Sequence, residues 1–164
     1  MFNRRLIIIK FAVGKLEELI AGKLASMVSG DSELVSLCSF FPLTQTMIKH
    51  GNEHSSNSIG LEEISQGENG AIFLASLAVK SAENSAKAVP IVKQLVREVN
   101  EYATSARAEW GWRFLYYAYG YQDPIATYGE SAQIKIRAAS DKYDPDKVFQ
   151  NLRRTGHKIH SWYF

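Results

Sequence analysis

Ala71-Ile72-Phe73-Leu74-Ala75-Ser76-Leu77-Ala78-Val79, followed five residues later by the run from Ser85 to Arg107, is the stretch whose reading decides the fold. The first nine residues are apolar and aromatic with no charge, which predicts a buried strand. The second run changes period. Val89, Val92, Leu95, Val96, Val99, Tyr102 and Ala103 recur at three- and four-residue steps and mark the buried stripe of the longest helix. Pro90 falls early in that helix, where a missing N–H does least harm.

Working outward toward the start, Leu6 to Val13 is rich in branched residues and predicts another strand. Leu16, Leu19, Ile20, Leu24 and Met27 then place a helix over Lys15 to Val28, ended by the turn residues Gly30-Asp31-Ser32. Leu34 to Phe41 predicts a strand stopped by Pro42. Residues 51–70 hold many small polar residues and predict a loop, with a short strand at Ser58 to Leu61.

Toward the end, Arg113 to Tyr119 predicts a fourth main strand and Asp123-Pro124 a turn. Glu130 to Ser140 predicts a helix with Ile134, Ile136 and Ala139 inside. Asp144-Pro145 then opens a short helix as N-cap and first helical residue. Together these elements predict an α+β fold, an antiparallel sheet with helices on one face. The organisation reads as an N-terminal strand and helix over 1–33, a middle portion over 34–109 and a C-terminal segment over 110–164.

The 164 residues suit one ordinary domain. With 46% apolar and 22% charged residues the chain is neither disordered, collagenous nor a coiled-coil rod. A single cysteine, Cys38, excludes an internal disulfide framework and reads as a small residue of its strand. Net charge is only +2, so no nucleic-acid partner is expected. Lys147, Arg153, Arg154 and Lys158 form a basic strip read as solvated or docked on protein. Lys10 interrupts the Leu6-Ile7-Ile8-Ile9 run, far short of a spanning helix, and no cleavage site follows. The expectation is no membrane contact and, by default, the cytoplasm.

His50 and His54 stand four apart with Glu53 between them, but their Gly, Asn and Ser surroundings argue for loop and no third ligand is near, so no metal site is expected. Phosphate-binding glycine patterns and a nucleophile elbow are absent. Trp110 to Tyr121 stands apart, with seven aromatics in twelve residues. Along a strand, alternation puts Tyr117 and Tyr119 on one face and Tyr116 on the other. Two readings stay open: a core strand whose hydroxyls reach solvent at its edges, or an aromatic wall for a flat ligand with one phenol as proton acceptor.

From Leu34 onward the chain resembles the C-terminal half of the berberine bridge enzyme-like FAD-linked oxidoreductases of fungal secondary metabolism. Phe41-Pro42, Met47-Ile48 and the passage His54 to Leu61 are similar to the family's "PLP…GGN-x-x-G-L", with Ser55 and Ser56 in place of two glycines. Phe114 to Tyr119 and Gln122 to Glu130 resemble "Y-x-N-Y … QDP-[IL]-A-S-Y-G". Lys142 to Gln150 resembles "KYDP-x-x-VFQ", and Gly156 to Ile159 the closing "G-[FH]-K-[IL]".

The resemblance implies the substrate domain of the PCMH-type FAD oxidoreductases. In that family a base removes a proton from a hydroxyl or amine while hydride passes to the flavin. It implies Tyr119 as the base, and Tyr117, Tyr116 and Asn57 as substrate contacts. A polyketide or alkaloid-like small molecule is the implied substrate. Ala118 replaces the motif's Asn, and the turn to Gln122 is shorter than in the family. The family's FAD-binding half precedes this region and residues 1–33 are too few to replace it, so the cofactor FAD is expected not to be retained by this chain alone. A separate FAD-binding polypeptide is the implied partner. Two alternatives stand beside this: a non-redox protein that binds a pathway intermediate or assists its cyclisation, and an inactive fragment.

Overall fold

The computed structural model describes residues 2–54 and 57–159, with side chains of 2–5, 52 and 54 left aside. The chain divides into two compact units. One comprises residues 1–41 and 73–109, the other 42–72 and 110–164.

The first unit is built on a helical run. Helix α1, Phe2–Leu16, passes directly into a π-helical stretch, Glu17–Leu24, and then the short α2, Ala25–Met27. The strand expected over Leu6 to Val13 is therefore a helix. A short branched run cannot be told from a buried helix by composition, and what decides it is the phase of its neighbours. Ala12, Leu19, Ile20 and Leu24 are buried, and Phe11 and Leu16 pack on the same cluster. That spacing is helical and continues the stripe of the following segment. Helix α5, Ala82–Ser105, packs against both α1 and the π-helical stretch. Its buried line is Asn84, Ala88, Ile91, Leu95, Val99 and Ala103, with Val89, Val92, Val96 and Tyr102 half-buried beside it. The helix starts earlier than expected, so Pro90 lies in its interior. Both Pro90 and Ala86, whose carbonyl loses its amide partner, are exposed, so water takes the place of that bond.

The amino end of α5 is closed by its own neighbours. Ser81 Oγ accepts from Asn84 N–H at 3.2 Å, and Asn84 Nδ2 donates to Ser29 Oγ and the Lys80 carbonyl.

Strands β1, Val35–Leu43, and β2, Gly70–Ala78, pair antiparallel and form the sheet of this α+β fold. Pro42 lies inside β1 rather than ending it. Among the described residues the sheet has two strands, not four. Phe40 of β1 and Phe73, Ala75 and Leu77 of β2 pack on the α1–α5 core, which sets the inward face. Cys38 is half-buried in β1, and partial burial pushes its thiol up from its usual range.

The second unit is made of shorter pieces. Helix α3, Gln45–His54, and helix α4, Leu61–Ser65, occupy much of the stretch expected to be loop, and Ser58 to Leu61 is a turn leading into α4 rather than a strand. Gln45 fixes the start of α3: its N–H donates to Asn69 Oδ1, and its side chain to Ser65 Oγ and the Glu68 carbonyl. Helix α6, Glu130–Tyr143, buries Ala132 and Ser140 and turns Ile136 to the core. Ile134 and Ala139 point outward instead, because the inner row steps by four from Ala132. Helix α7, Val148–Asn151, is capped by the Asp144 carboxylate, which accepts from Val148 and Phe149 N–H. Pro145 lies in the preceding turn, not in the helix.

Candidate functional site

The aromatic segment lies in the second unit, and it is not a strand. Gly111 holds φ +71°, and Leu115–Tyr117 forms one 3-10 turn in which Tyr117 N–H donates to the Phe114 carbonyl. β-Rich composition is not enough when no neighbouring strand is present to receive the backbone groups. The strict alternation of Tyr116 against Tyr117 and Tyr119 fails with the strand.

The segment is anchored at one end and open at the other. Trp112 is buried, donates from Nε1 to the Ile59 carbonyl at 2.8 Å, and stacks on Tyr128 at 6.0 Å between centroids. Trp110 lies against Gly70 so closely that a Cβ there would meet its ring at 2.3 Å. Phe114 stacks on Trp112 and carries Tyr116 and Tyr117 on its other contacts, at 5.6 and 5.1 Å. Beyond them the rings face solvent: Tyr116 is 85% exposed and Tyr119 58%, with Tyr117 and Tyr121 also exposed. Neither the core strand nor a sealed cluster describes this surface.

The candidate residues fall into two groups. Tyr116 and Tyr117 share Phe114, whereas Tyr119 pairs with Tyr121 at 5.7 Å. Tyr119 is fixed by its backbone: its N–H donates to Gln122 Oε1 and its carbonyl accepts from Gln122 N–H, both at 2.8 Å. Asn57 Oδ1 accepts from Ile59 N–H, so its turn and the Trp112 indole meet at the same residue. Ser55, Ser56 and the His54 side chain lie outside the described residues. His50 sits on α3, with Nδ1 3.1 Å from Glu53 Oε2. Among the described residues no group of three or more His, Cys, Asp and Glu is placed to hold a metal, and no helix is long and apolar enough to cross a membrane.

Three participants escaped sequence reasoning. Arg113 donates to the Trp112 carbonyl, receives Thr127 Oγ1 at its N–H, and its charge favours ionisation of Tyr121. Burial outweighs that charge, so the Tyr121 phenol stands above its usual range. Tyr128 is 2% exposed and its hydroxyl finds no hydrogen-bond partner among the described residues; it faces the Leu115 amide without reaching bonding geometry. Burial pushes this phenol up as well, the amide moderating the shift. A Tyr between Thr and Gly gives no sign in sequence that its hydroxyl is buried.

FAD needs a cradle of backbone donors for its pyrophosphate, most simply a free helix amino end. The described residues do not supply one. At α6 the Glu63 carboxylate lies against Gly129, 3.3 Å from where a Cβ would stand, and takes the position an anion would need. At α5 the amino end is closed by Ser81 and Asn84. Gly60, at φ +69°, leaves no cavity, since a Cβ there would stand 1.8 Å from the Tyr128 carbonyl.

Comparison with known proteins gives the chain its relatives. It is similar to an FAD-dependent monooxygenase of Aspergillus calidoustus, 34% identical over 132 residues, which is 80% of this chain and 24% of that protein. It is also similar to the bifunctional solanapyrone synthase of Alternaria solani, 31% identical over 118 residues, 72% of this chain and 22% of the synthase. A third relative is an FAD-dependent monooxygenase of Fusarium proliferatum, 26% identical over 156 residues, 93% of this chain and 29% of the relative. Homologues of the chain are therefore fungal FAD-dependent monooxygenases, and the chain spans about a quarter of their length. No family model and no solved structure matches.

Proposed function

We propose that the chain is the substrate-side portion of a berberine bridge enzyme-like FAD-linked oxidoreductase of fungal natural-product biosynthesis. In this reading the flavin is held by polypeptide corresponding to the rest of its relatives. The observation that carries the reading is the open band of Tyr116, Tyr117, Tyr119 and Tyr121, set on a backbone locked by Trp112, Thr127 and Gln122. Rings held by buried anchors offer a flat reactant a surface with little ordering left to do.

Tyr116 and Tyr117, sharing Phe114, form the wall, and Asn57 is the polar contact. Tyr119 accepts the proton from a substrate hydroxyl or amine. An ordinary phenol ionises near ~10, so this role requires a positive neighbour in the assembled enzyme. The substrate class is a polyketide or alkaloid-like aromatic compound, matched to stacking rather than to charge.

The purified chain is expected to be colourless after desalting, and stoichiometric yellow flavin would overturn the division of labour. Titration with aromatic pathway intermediates should change the fluorescence of Trp110 and Trp112, and Tyr117→Ala should abolish that change. Binding untouched by Tyr117→Ala sinks the wall. A second reading is favoured by the filled helix ends: the same wall binds an intermediate with no redox step of its own. Intermediate binding with no oxidation after a flavin-bearing partner is supplied would select it.

A further inference from the structure

The two strands carry a feature that the tyrosine band does not account for. Strands β1 and β2 read Val-Ser-Leu-Cys-Ser-Phe-Phe-Pro-Leu and Gly-Ala-Ile-Phe-Leu-Ala-Ser-Leu-Ala, eighteen residues with no Asp, Glu, Lys or Arg. Among the described residues no third strand pairs with either, so each is an edge strand. Edge strands of proteins that stay alone are ordinarily guarded by charge, short length or bulges. Here the edges are nine residues long and uncharged, and Pro42 guards one end only.

The outward face repeats the message. Phe40, Phe73, Ala75 and Leu77 point into the α1–α5 core, so alternation places Val35, Leu37 and Ser39 of β1 and Leu74, Ser76 and Ala78 of β2 on the other side. Val35 is 64% exposed and Leu37 54%. A sheet covered by helices on one face and bare and apolar on the other, with both edges open, is an interior part of a larger sheet.

We infer that β1–β2 is a docking surface that receives additional β-strands from the flavin-carrying remainder of an FAD-dependent monooxygenase. This rests on the functional reading above. The choice of occupant follows from length: the matched relatives carry roughly three quarters of their chain outside the region this protein spans, enough polypeptide to supply strands and a covering layer. Backbone pairing at an edge supplies affinity, and side chains at alternate positions such as Val35 and Leu37 supply fit.

The test is amide hydrogen exchange over residues 35–41 and 73–78, read on the chain alone and with the unmatched portion of the Aspergillus calidoustus relative. That portion is supplied both as a separate polypeptide and as a fusion, so weak affinity cannot hide a contact. The expected result is fast exchange at the outer edges in the isolated chain and at least tenfold slowing in the fusion. A Val35→Lys/Leu37→Lys variant should lose the slowing while keeping its helical circular dichroism. Unchanged exchange in the fusion overturns the inference, as does slowing that survives the double variant. Edges already protected in a concentration-dependent dimer of the chain also overturn it, in favour of a second copy. Flavin absorbance and substrate turnover are read separately, so strands can dock where the redox reading fails, and the reverse.

Discussion

The two compact units solve burial in different ways. In the unit of residues 1–41 and 73–109, long helices bring aliphatic side chains into one cluster, with Leu24 and Leu95 fully buried. In the unit of residues 42–72 and 110–164, helices are shorter and the core is aromatic, tied to backbone through Trp112, Gln45 and Asp144. The first arrangement resists change because close-packed methyl groups leave no slack. The second holds a surface in position without covering it, which suits a place where a ligand is to land.

The most damaging way to break this contrast is Leu95→Ala. A fully buried leucine in a helix interface loses its transfer energy and leaves a cavity, about 3–5 kcal/mol. Thermal melting followed by far-ultraviolet circular dichroism should show the loss, since α1 and α5 dominate that signal. Fluorescence of Trp110 and Trp112 reports the aromatic unit instead. Coincident displacement of both signals would show the two units melting as one.

Gly60→Ala is the matching lesion on the aromatic side. The position combines φ +69° with a Cβ placed 1.8 Å from the Tyr128 carbonyl, so backbone must move as well as strain. We expect a loss on the order of 3 kcal/mol, seen first in tryptophan fluorescence. A variant of wild-type stability would mean that the Gly60–Tyr128 contact is looser than described.

This contrast also explains what the sequence made legible. The β2–α5 pair was readable because a nine-residue uncharged run and a 24-residue amphipathic helix are long enough for period to speak. The helix before Gly30 and the short helix near Asp144 were readable from stripe and cap. Leu6 to Val13 misleads because its branched residues favour a strand, while Ala12, the residue that is completely buried, carries little weight in a composition. Arg113 to Tyr119 misleads for the opposite reason: it has strand composition and no strand beside it. Of the candidate site, the exposed tyrosines were visible as a cluster. Their frame of Trp112 to Ile59, Arg113 to Thr127 and Tyr119 to Gln122 was not, because those bonds join residues by folding rather than by pattern.

A smaller change sharpens the comparison by acting in the favourable direction. Tyr128 buries a hydroxyl without a partner, which costs free energy that the ring's packing on Trp112 must offset. Tyr128→Phe keeps the ring and removes the group. Chemical denaturation should show a gain of about 1 kcal/mol with the exposed tyrosines undisturbed. A loss of stability would mean that the hydroxyl is bonded to water or ligand in solution, and would move it from frame to site.

The smallest effect belongs to the helical unit and depends on acid. Glu98 accepts from Gln94 Nε2 at 2.8 Å and pairs with Lys15 at 3.0 Å. The Gln94 bond first, and then Lys15, hold its carboxyl below the ordinary glutamate value of 4.5. The folded protein therefore gives up this charge later than the unfolded chain does as pH falls. Its contribution is complete above the ordinary value and disappears as pH drops through the lowered one, because between them the unfolded state binds more protons. Glu98→Gln should leave little difference from wild type at strongly acid pH and a small deficit at neutral pH, so the acid slope of the melting temperature becomes shallower. The pair is near the surface, and salt should shrink the neutral-pH deficit further. An unchanged acid slope would show that Lys15, held also by Glu18 and lying over the Phe11 ring, gains nothing measurable from Glu98.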